Sequence, residues 1–485
     1  MPPSRRPIAR AALLATLLAG VSGGCSLGPA YRKPEAPVPS TWRAEAGPQA
    51  AWPDAEWWRG FGSAELDGLI AQARANSPDI RAAVARIQQA DANVRLAGAA
   101  LLPQVQAGAD AAWLRSSTNR RIGSQSVPTG SYVESRNYSV TLPVFWEIDV
   151  WGRLAAGRDA AAAQAQATRF DERAIALSVV AAVASTWFQA LALQDRIDLA
   201  ESNLRDAETI LRAVTARAEV GTASQLDVSQ QAALVATVRA RIPGLRSQLE
   251  QQVNALAVLT GQPPAAITVR PGTLNGLGLP PVAPGLPAEV LARRPDVAAA
   301  EADLVAANAN IRAARAAFFP EIALSGRAGF QNITLGTLFG PGAFLASALA
   351  SATQSIFDGG ARSASLAATR ARDEELVAIY ARTVLQALTE VEDALQAWRY
   401  STEQETLSRQ AVAISQRAAD IARAQLLAGT IDQVQVLQTQ TTLFTNMDNL
   451  AQVRLAHFQS LLSLYKALGG GWSEGEAARL AGAAP

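Results

Sequence analysis

Along 137–151, apolar Tyr138, Val140, Leu142, Val144, Trp146, Ile148 and Val150 alternate strictly with a set containing Asn137, Ser139, Thr141, Glu147 and Asp149. A period of two puts successive side chains on opposite faces of a strand. The pattern returns more weakly from Pro103, where Val105, Ala107, Ala109, Ala111 and Trp113 oppose Gln104, Gln106 and Asp110. In the second half Ile322, Leu324, Ala328 and Phe330 oppose Glu321, Ser325, Arg327 and Gln331, with a Ser- and Ala-rich partner expected around 344–357. Polar loops would join the two pairs at 116–136, with Arg120 and Arg121, and at 332–342.

Elsewhere the period is helical. From Arg153 to Glu219 there is no Pro and only Gly157, while Ala, Leu, Gln, Arg and Glu dominate, a composition that favours helix. At about 1.5 Å per residue such a helix is a rod of roughly 100 Å. A like segment covers 361–428, and in it Val377, Tyr380, Val384, Leu388, Val391, Leu395 and Trp398 keep the three-and-four spacing of a coiled-coil seam. Second helices are predicted over 224–259 and 432–468, the first kinked at Pro243. Gly221 and Gly429, each followed by Thr, read as C-caps. Each half of the chain thus predicts a long helical hairpin.

The halves are copies. Residues 78–105 and 295–322 align without a gap and agree at 13 of 28 positions. A second gap-free alignment runs from Gly152 against Gly360 to Gly261 against Gly469. Solenoids repeat every 20 to 50 residues or so; a spacing this long means a duplicated, domain-sized unit.

Composition narrows the chemistry. Lys and Arg number 43 against 42 Asp and Glu, so nothing draws the chain to nucleic acid. One His and one Cys leave no metal cluster; His457 reads as a structural residue of a helix. No catalytic residue and no cofactor site are expected, and the protein is not read as an enzyme. The N-terminus carries Arg5, Arg6 and Arg10, then AALLATLLAGV, then small residues up to Cys25, the layout of a secretory signal. Cys25 after Ser-Gly-Gly resembles a bacterial lipobox, with Ser22 where Leu is usual, and so predicts lipidation at Cys25. No later stretch has about 18 consecutive apolar residues, so spanning falls to strands. A soluble sheet with one wet face would alternate in the same way. The secreted, lipid-anchored chain, the strand length and the loops at one end favour the membrane. Four strands cannot close alone, because an open edge in lipid leaves backbone groups unpaired. Spacing alone does not choose between two, three and four copies.

The stretches GCSLGPAYRKPEAPVPSTW, WWRGFGSAELDGLIAQARANSPDI, WEIDVWGR, FDGGAR, AGT at 428–430 and LYKALGGGW resemble the TolC-like outer membrane efflux factors, and most closely the lipoproteins serving resistance-nodulation-division pumps. The resemblance covers 21–472. It implies a mainly α fold with membrane β, duplicated, with four strands and long helical hairpins per chain. It further implies a homotrimer whose twelve strands form an outer-membrane barrel on a twelve-helix periplasmic tunnel. The organisation it suggests is a lipoprotein signal (1–24), a lipid-anchored Pro/Trp-rich tether (25–62), two structural repeats (63–275 and 276–469) and a tail (470–485). The function implied is a passive exit duct working with a periplasmic adaptor and an inner-membrane resistance-nodulation-division transporter. Matching the family's constriction places Val434, Gln435 and Gln438 at a periplasmic gate, with Asp432 and Asp227 supplying acidic character. Family members commonly carry Asp at the place of Gln438, so charge selectivity is expected to be weak. The turns Gly221-Thr222 and Gly429-Thr430 would contact the adaptor. Two alternatives stay open: the same channel in a type I protein secretion system, and a periplasmic coiled-coil adaptor or scaffold.

Overall fold

The computed structural model describes residues 28, 30–43, 52–117, 132–282 and 285–471. Cys25 with the leader, Arg120 and Arg121, and the tail from 472 lie outside the described residues. Helices α1 (Ala64–Asn76) and α2 (Pro78–Ala99) precede strands β1 (Gln104–Val105), β2 (Gly108–Ser117) and β3 (Tyr132–Ile148), followed by α3 (Arg153–Glu219) and α4 (Gln225–Thr260). After the short α5 (Pro287–Ala292) the order recurs as α6 (Pro295–Ala316), β4 (Glu321–Asn332), β5 (Phe344–Thr353), α7 (Ala361–Leu427) and α8 (Gln433–Ala467). Helix α4 runs unbroken through Pro243. The two longest helices, α3 and α7, have 67 residues each.

Two compact units emerge, and each draws on both halves of the sequence. One contains Gln88–Ala165 and Ala302–Ala378 together with the described residues up to Pro34. Its centre is a fully antiparallel sheet in the order β1/β2, β3, β4, β5. Strands β1 and β2 lie on one register line against β3, from Gln104 opposite Phe145 to Ser117 opposite Tyr132. The break between them faces Pro143. Gln106 N–H donates to the Pro143 carbonyl at 3.0 Å, but proline has no N–H to return the bond. Gly329 lets β4 come close to β3, since a Cβ there would lie 2.2 Å from the Val140 carbonyl oxygen.

The registers sort the side chains. Val105, Ala109, Ala111 and Trp113 share a face with Tyr138, Val140, Leu142, Val144, Trp146 and Ile148, with Ile322, Leu324, Ala328 and Phe330, and with Phe344, Ala346, Ala348, Ala350 and Ala352. Trp113, Val140, Leu142 and Phe344 on this face are exposed. Near the loop end the face turns charged, with Arg115 paired to Glu134 at 3.8 Å and lying over the Tyr132 ring. The opposite face carries Gln106, Asp110, Ser139, Thr141, Glu321, Arg327 and Gln331, interrupted by Phe145, Leu345 and Leu349. There the Ser139 hydroxyl donates to Asp110 at 3.3 Å.

Strand β3 stops at Ile148, three residues before the alternation does. Asp149 is needed elsewhere, for its carboxylate accepts the N–H groups of Leu154 at 3.0 Å and Ala155 at 2.7 Å and so caps α3. Asp358, one position out of register with Asp149 in the repeat, does the same at the start of α7, accepting from Gly360 at 3.0 Å and Arg362 at 3.2 Å. Acceptors at a helix start satisfy donors that have no partner within the helix.

The second unit comprises the described residues of Glu35–Ile87, Gln166–Glu301 and Ile379–Gly471. Its largest cluster gathers Trp57, Trp58, Phe61, Phe188, Phe458 and Tyr465 with the α1 side chains Leu66 and Ile70. Phe61 meets Phe188 edge-on at 5.0 Å, and Trp57 stacks on Tyr465 at 4.9 Å. By composition one 18-residue window of α3 could cross a membrane, but half of it is buried in the protein, and Val179, Val183 and Leu191 of α3 belong to this core. Most of the expected α7 seam is buried here as well, from Tyr380 and Val384 through Val391 to Leu395.

Candidate functional site

Both hairpins turn in the same way. The N–H of Gly221 donates to the Ala218 carbonyl at 3.0 Å and that of Thr222 to Arg217 at 2.8 Å; Gly429 and Thr430 repeat this with Leu426 and Gln425, both at 3.0 Å. This is the Schellman arrangement, with glycine in the left-handed region at φ 77° and 73°. Each Thr hydroxyl donates to the same carbonyl as its own N–H, at 3.0 Å for Thr222 and 3.1 Å for Thr430. Both Gly-Thr pairs are therefore exposed turn residues whose local hydrogen bonds are complete.

The next helices start with matched caps. Ser224 and Asp227 form a capping box on α4: Asp227 N–H donates to the Ser224 hydroxyl at 3.1 Å, and the Ser224 N–H and hydroxyl both donate to the Asp227 carboxylate at 2.8 Å. The Ser224 backbone N–H first, and its hydroxyl second, hold the Asp227 carboxyl below the ordinary carboxylate range. Asp432 caps α8 by accepting from Gln435 N–H at 3.0 Å. Both acidic residues expected near the gate thus sit at helix starts, where the helix dipole favours negative charge.

On α8, Val434, Gln435 and Gln438 are all exposed, on a ridge that continues through Thr441, Thr442 and Thr445. Gln433, Val436 and Gln440 point inward. Val436 packs with Ile210 and Val214 of α3 and with Ala422 and Leu426 of α7, so one apolar cluster at the tips is shared by the two hairpins. Next to this cluster lies a polar layer. Buried Gln433 donates from Nε2 to Gln231 Oε1 at 2.8 Å, and Gln231 donates to the Ala207 carbonyl at 2.9 Å. The amide oxygens of Gln433 and Gln440 have no hydrogen-bond partner. A buried amide oxygen left without a partner costs about 1–3 kcal/mol.

Three links between the hairpins were not expected from the sequence. Arg217 reaches from the first turn to the Leu426 carbonyl in the second at 3.0 Å, and also to the Thr222 carbonyl at 3.4 Å. Gln231 and Gln433 form the second. In the third, Asp448 of α8 binds Arg196 of α3 through two bonds at 2.7 and 3.3 Å and Arg241 of α4 at 3.5 Å, beside a cavity of about 100 Å³. The duplication does hold a signal for one of them. Aligned on their glycines, ARAEVGT and AQLLAGT put Arg217 opposite Gln425, and a charge present in one copy only marks a contact that the copies do not share.

Farther along the same helices, His457 of α8 is buried. Its Nδ1 bonds Glu405, its Nε2 lies 3.1 Å from the Thr402 hydroxyl, and its ring packs on Trp398 at 4.4 Å. Arg454 also binds Glu405, at 3.2 Å. Among the described residues no group of three or more His, Cys, Asp or Glu could hold a metal ion.

The outer membrane efflux protein family profile matches residues 69–262 and 286–470, one stretch in each half. The chain is 37% identical over 439 residues to the pyoverdine export outer membrane protein OpmQ of Pseudomonas putida, covering 90% of this chain and 92% of the relative. It is 34% identical to the outer membrane protein OprJ of Pseudomonas aeruginosa, covering 95% and 96%. Its fold superposes on the outer-membrane channel OprN with a TM-score of 0.85 at 27% identity, covering 92% of this chain and all of that one. Its sequence over both halves and its fold along nearly the whole length agree: the chain belongs to the outer membrane efflux protein family.

Proposed function

We propose that the protein is the outer-membrane exit duct of a tripartite efflux pump, passing drugs or other toxic small molecules outward. Its relative OpmQ is named for the export of pyoverdine. One observation carries this reading, a sheet with one face apolar over most of its length, where Trp113, Val140, Leu142 and Phe344 are exposed, and a largely polar opposite face. Water on both sides would leave that apolar face uncovered; lipid on one side and an aqueous lumen on the other suit both faces.

The edges of the sheet point to several copies. Edge strands β1/β2 and β5 each have one unpaired side, and barrels close at about eight strands or more. Immediately after β5, Ile356 and Phe357 are 92% and 90% exposed, which is a surface for the next copy. The number of copies, three, follows from family resemblance, as do the adaptor and the resistance-nodulation-division transporter. On this reading Cys25 carries the lipid that follows removal of residues 1–24, 25–62 form the tether, and repeats 63–275 and 276–469 alternate around the tube. The near six-fold result suits a symmetric adaptor gripping the Gly-Thr turns at 221–222 and 429–430.

Val434, Gln435 and Gln438, on the exposed ridge of α8, form the periplasmic constriction, with Asp432 and Asp227 at its rim. Closure then rests on a valine ring and on amide hydrogen bonds rather than on charge. The double variant Val434→Ala, Gln438→Ala should raise single-channel conductance in planar bilayers. Unchanged conductance would remove these positions from the gate.

A further inference from the structure

The loop at 332–342 joining β4 to β5, expected from the sequence to be polar, instead presents an apolar surface. Ile333, Leu335 and Phe339 are 72%, 62% and 68% exposed, and residues 332–343 contain no charged side chain. The loop is not a slack connector. A 3-10 turn spans Leu335–Thr337, and Leu338, Gly340 and Ala343 donate their N–H groups to Leu335, Thr337 and Gly340. Asn332 closes it further, donating from Nδ2 to the Thr337 carbonyl at 3.1 Å and accepting from Thr334 N–H at 3.3 Å. Leu338 is buried beneath it. Each loop group bonded internally in this way lowers the cost of leaving water, which an ordinary solvated loop would pay in full.

The direction of the patch is set by Phe339. Its ring meets Phe330 edge-on at 5.3 Å, and Phe330 meets Phe344 at 5.9 Å. Phe330 and Phe344 are cross-strand partners on the apolar face of the sheet. The loop patch therefore continues the face assigned to lipid and turns away from the polar face assigned to the lumen.

We infer that the β4–β5 loop is a lipid-seated anchor, with Ile333, Leu335 and Phe339 in the interfacial zone of the outer leaflet. The inference rests on the membrane reading of the sheet. The last described cross-strand pairs of the first hairpin include charged Arg115 and Glu134, while the second hairpin ends in an apolar cap. Aromatic residues are favoured at that depth because ring and lipid tail meet on one side and headgroups on the other.

The test is spin-label accessibility of the full chain in lipid vesicles, with label placed singly by Leu335→Cys, Phe339→Cys, Leu142→Cys and Ser347→Cys; the parent chain, with Cys25 alone, sets the background. Leu142 lies on the apolar face and Ser347 on the polar one. The ratio of oxygen to water-soluble nickel relaxation at 335 and 339 should exceed that at 347 by several-fold and approach that at 142. A ratio at 335 and 339 equal to that at 347, with 142 still oxygen-rich, would overturn the anchor and leave the membrane reading standing. A water-like ratio at 142 would take down both. Phe339→Asp adds a second arm: ion selectivity in planar bilayers should stay unchanged, and a shift toward cations would mean that the loop rings the pore mouth instead.

Discussion

Glu405 shows how much of this protein hangs on a single side chain. It joins α7 to α8 by accepting bonds from His457, Arg409 and Arg454. Burial pushes its pKa up, but the bonds from His457 and Arg409 and the charge of Arg454 outweigh that and leave it lowered. A carboxylate whose folded pKa lies below its unfolded value of about 4.3 stabilises the fold above that pH and loses the contribution as pH falls through the folded value. Glu405→Gln should therefore cost about 1–3 kcal/mol near neutral pH, and the gap from the parent should shrink below about pH 4. Thermal unfolding of the detergent-solubilised protein across that range measures both; a gap that stays constant into acid would deny the charge its role. At this scale the C-caps were legible in the sequence, because Gly221 and Gly429 act within a few residues of themselves, whereas the N-cap roles of Ser224 and Asp432 emerged only with the structure. The Gln231–Gln433 pair was not legible, because donor and acceptor lie about two hundred residues apart and nothing local marks them; the Arg217 bond to Leu426 is hinted at only by comparing the two copies.

Among the elements, α7 presents a stripe that none of the described residues covers. Tyr400, Leu407, Ile414 and Ile421 are seven residues apart and all exposed, which is the repeat of one helix laid along another. Periodicity had marked the α7 seam only as far as Trp398. Beyond it a second apolar series begins two residues out of step, and spacing cannot say which of two heptad series is buried within the chain and which awaits a neighbour. Since single apolar side chains are common on surfaces but long apolar rows are not, the channel reading predicts that this row lies between copies. Leu407→Ser with Ile414→Ser should leave helix content intact while raising the monomer fraction, as read by light scattering on detergent-solubilised protein. Full retention of the oligomer would take the stripe out of the interface.

For the whole molecule the central consequence is closure. Both outer strands of the sheet offer unpaired backbone groups, which lipid cannot satisfy. Purified protein should therefore need detergent and show the mass of three chains; a monodisperse monomer in plain buffer would defeat the channel reading altogether. Element type, element length and the duplication are local or self-referential properties, so periods of two and of three to four residues, together with a gap-free repeat, were enough to determine them from the sequence. Even the helix boundaries came within a residue or so, because glycines and short polar caps mark them. Tertiary structure alone decided how the halves interlock: each compact unit takes segments from both copies, β3 pairs with β4 across the repeat boundary, and the tips are held by one shared apolar cluster. The physical reason is that an amphipathic segment declares that it has an apolar face but not what will cover it, and that choice depends on groups brought together from far apart along the chain.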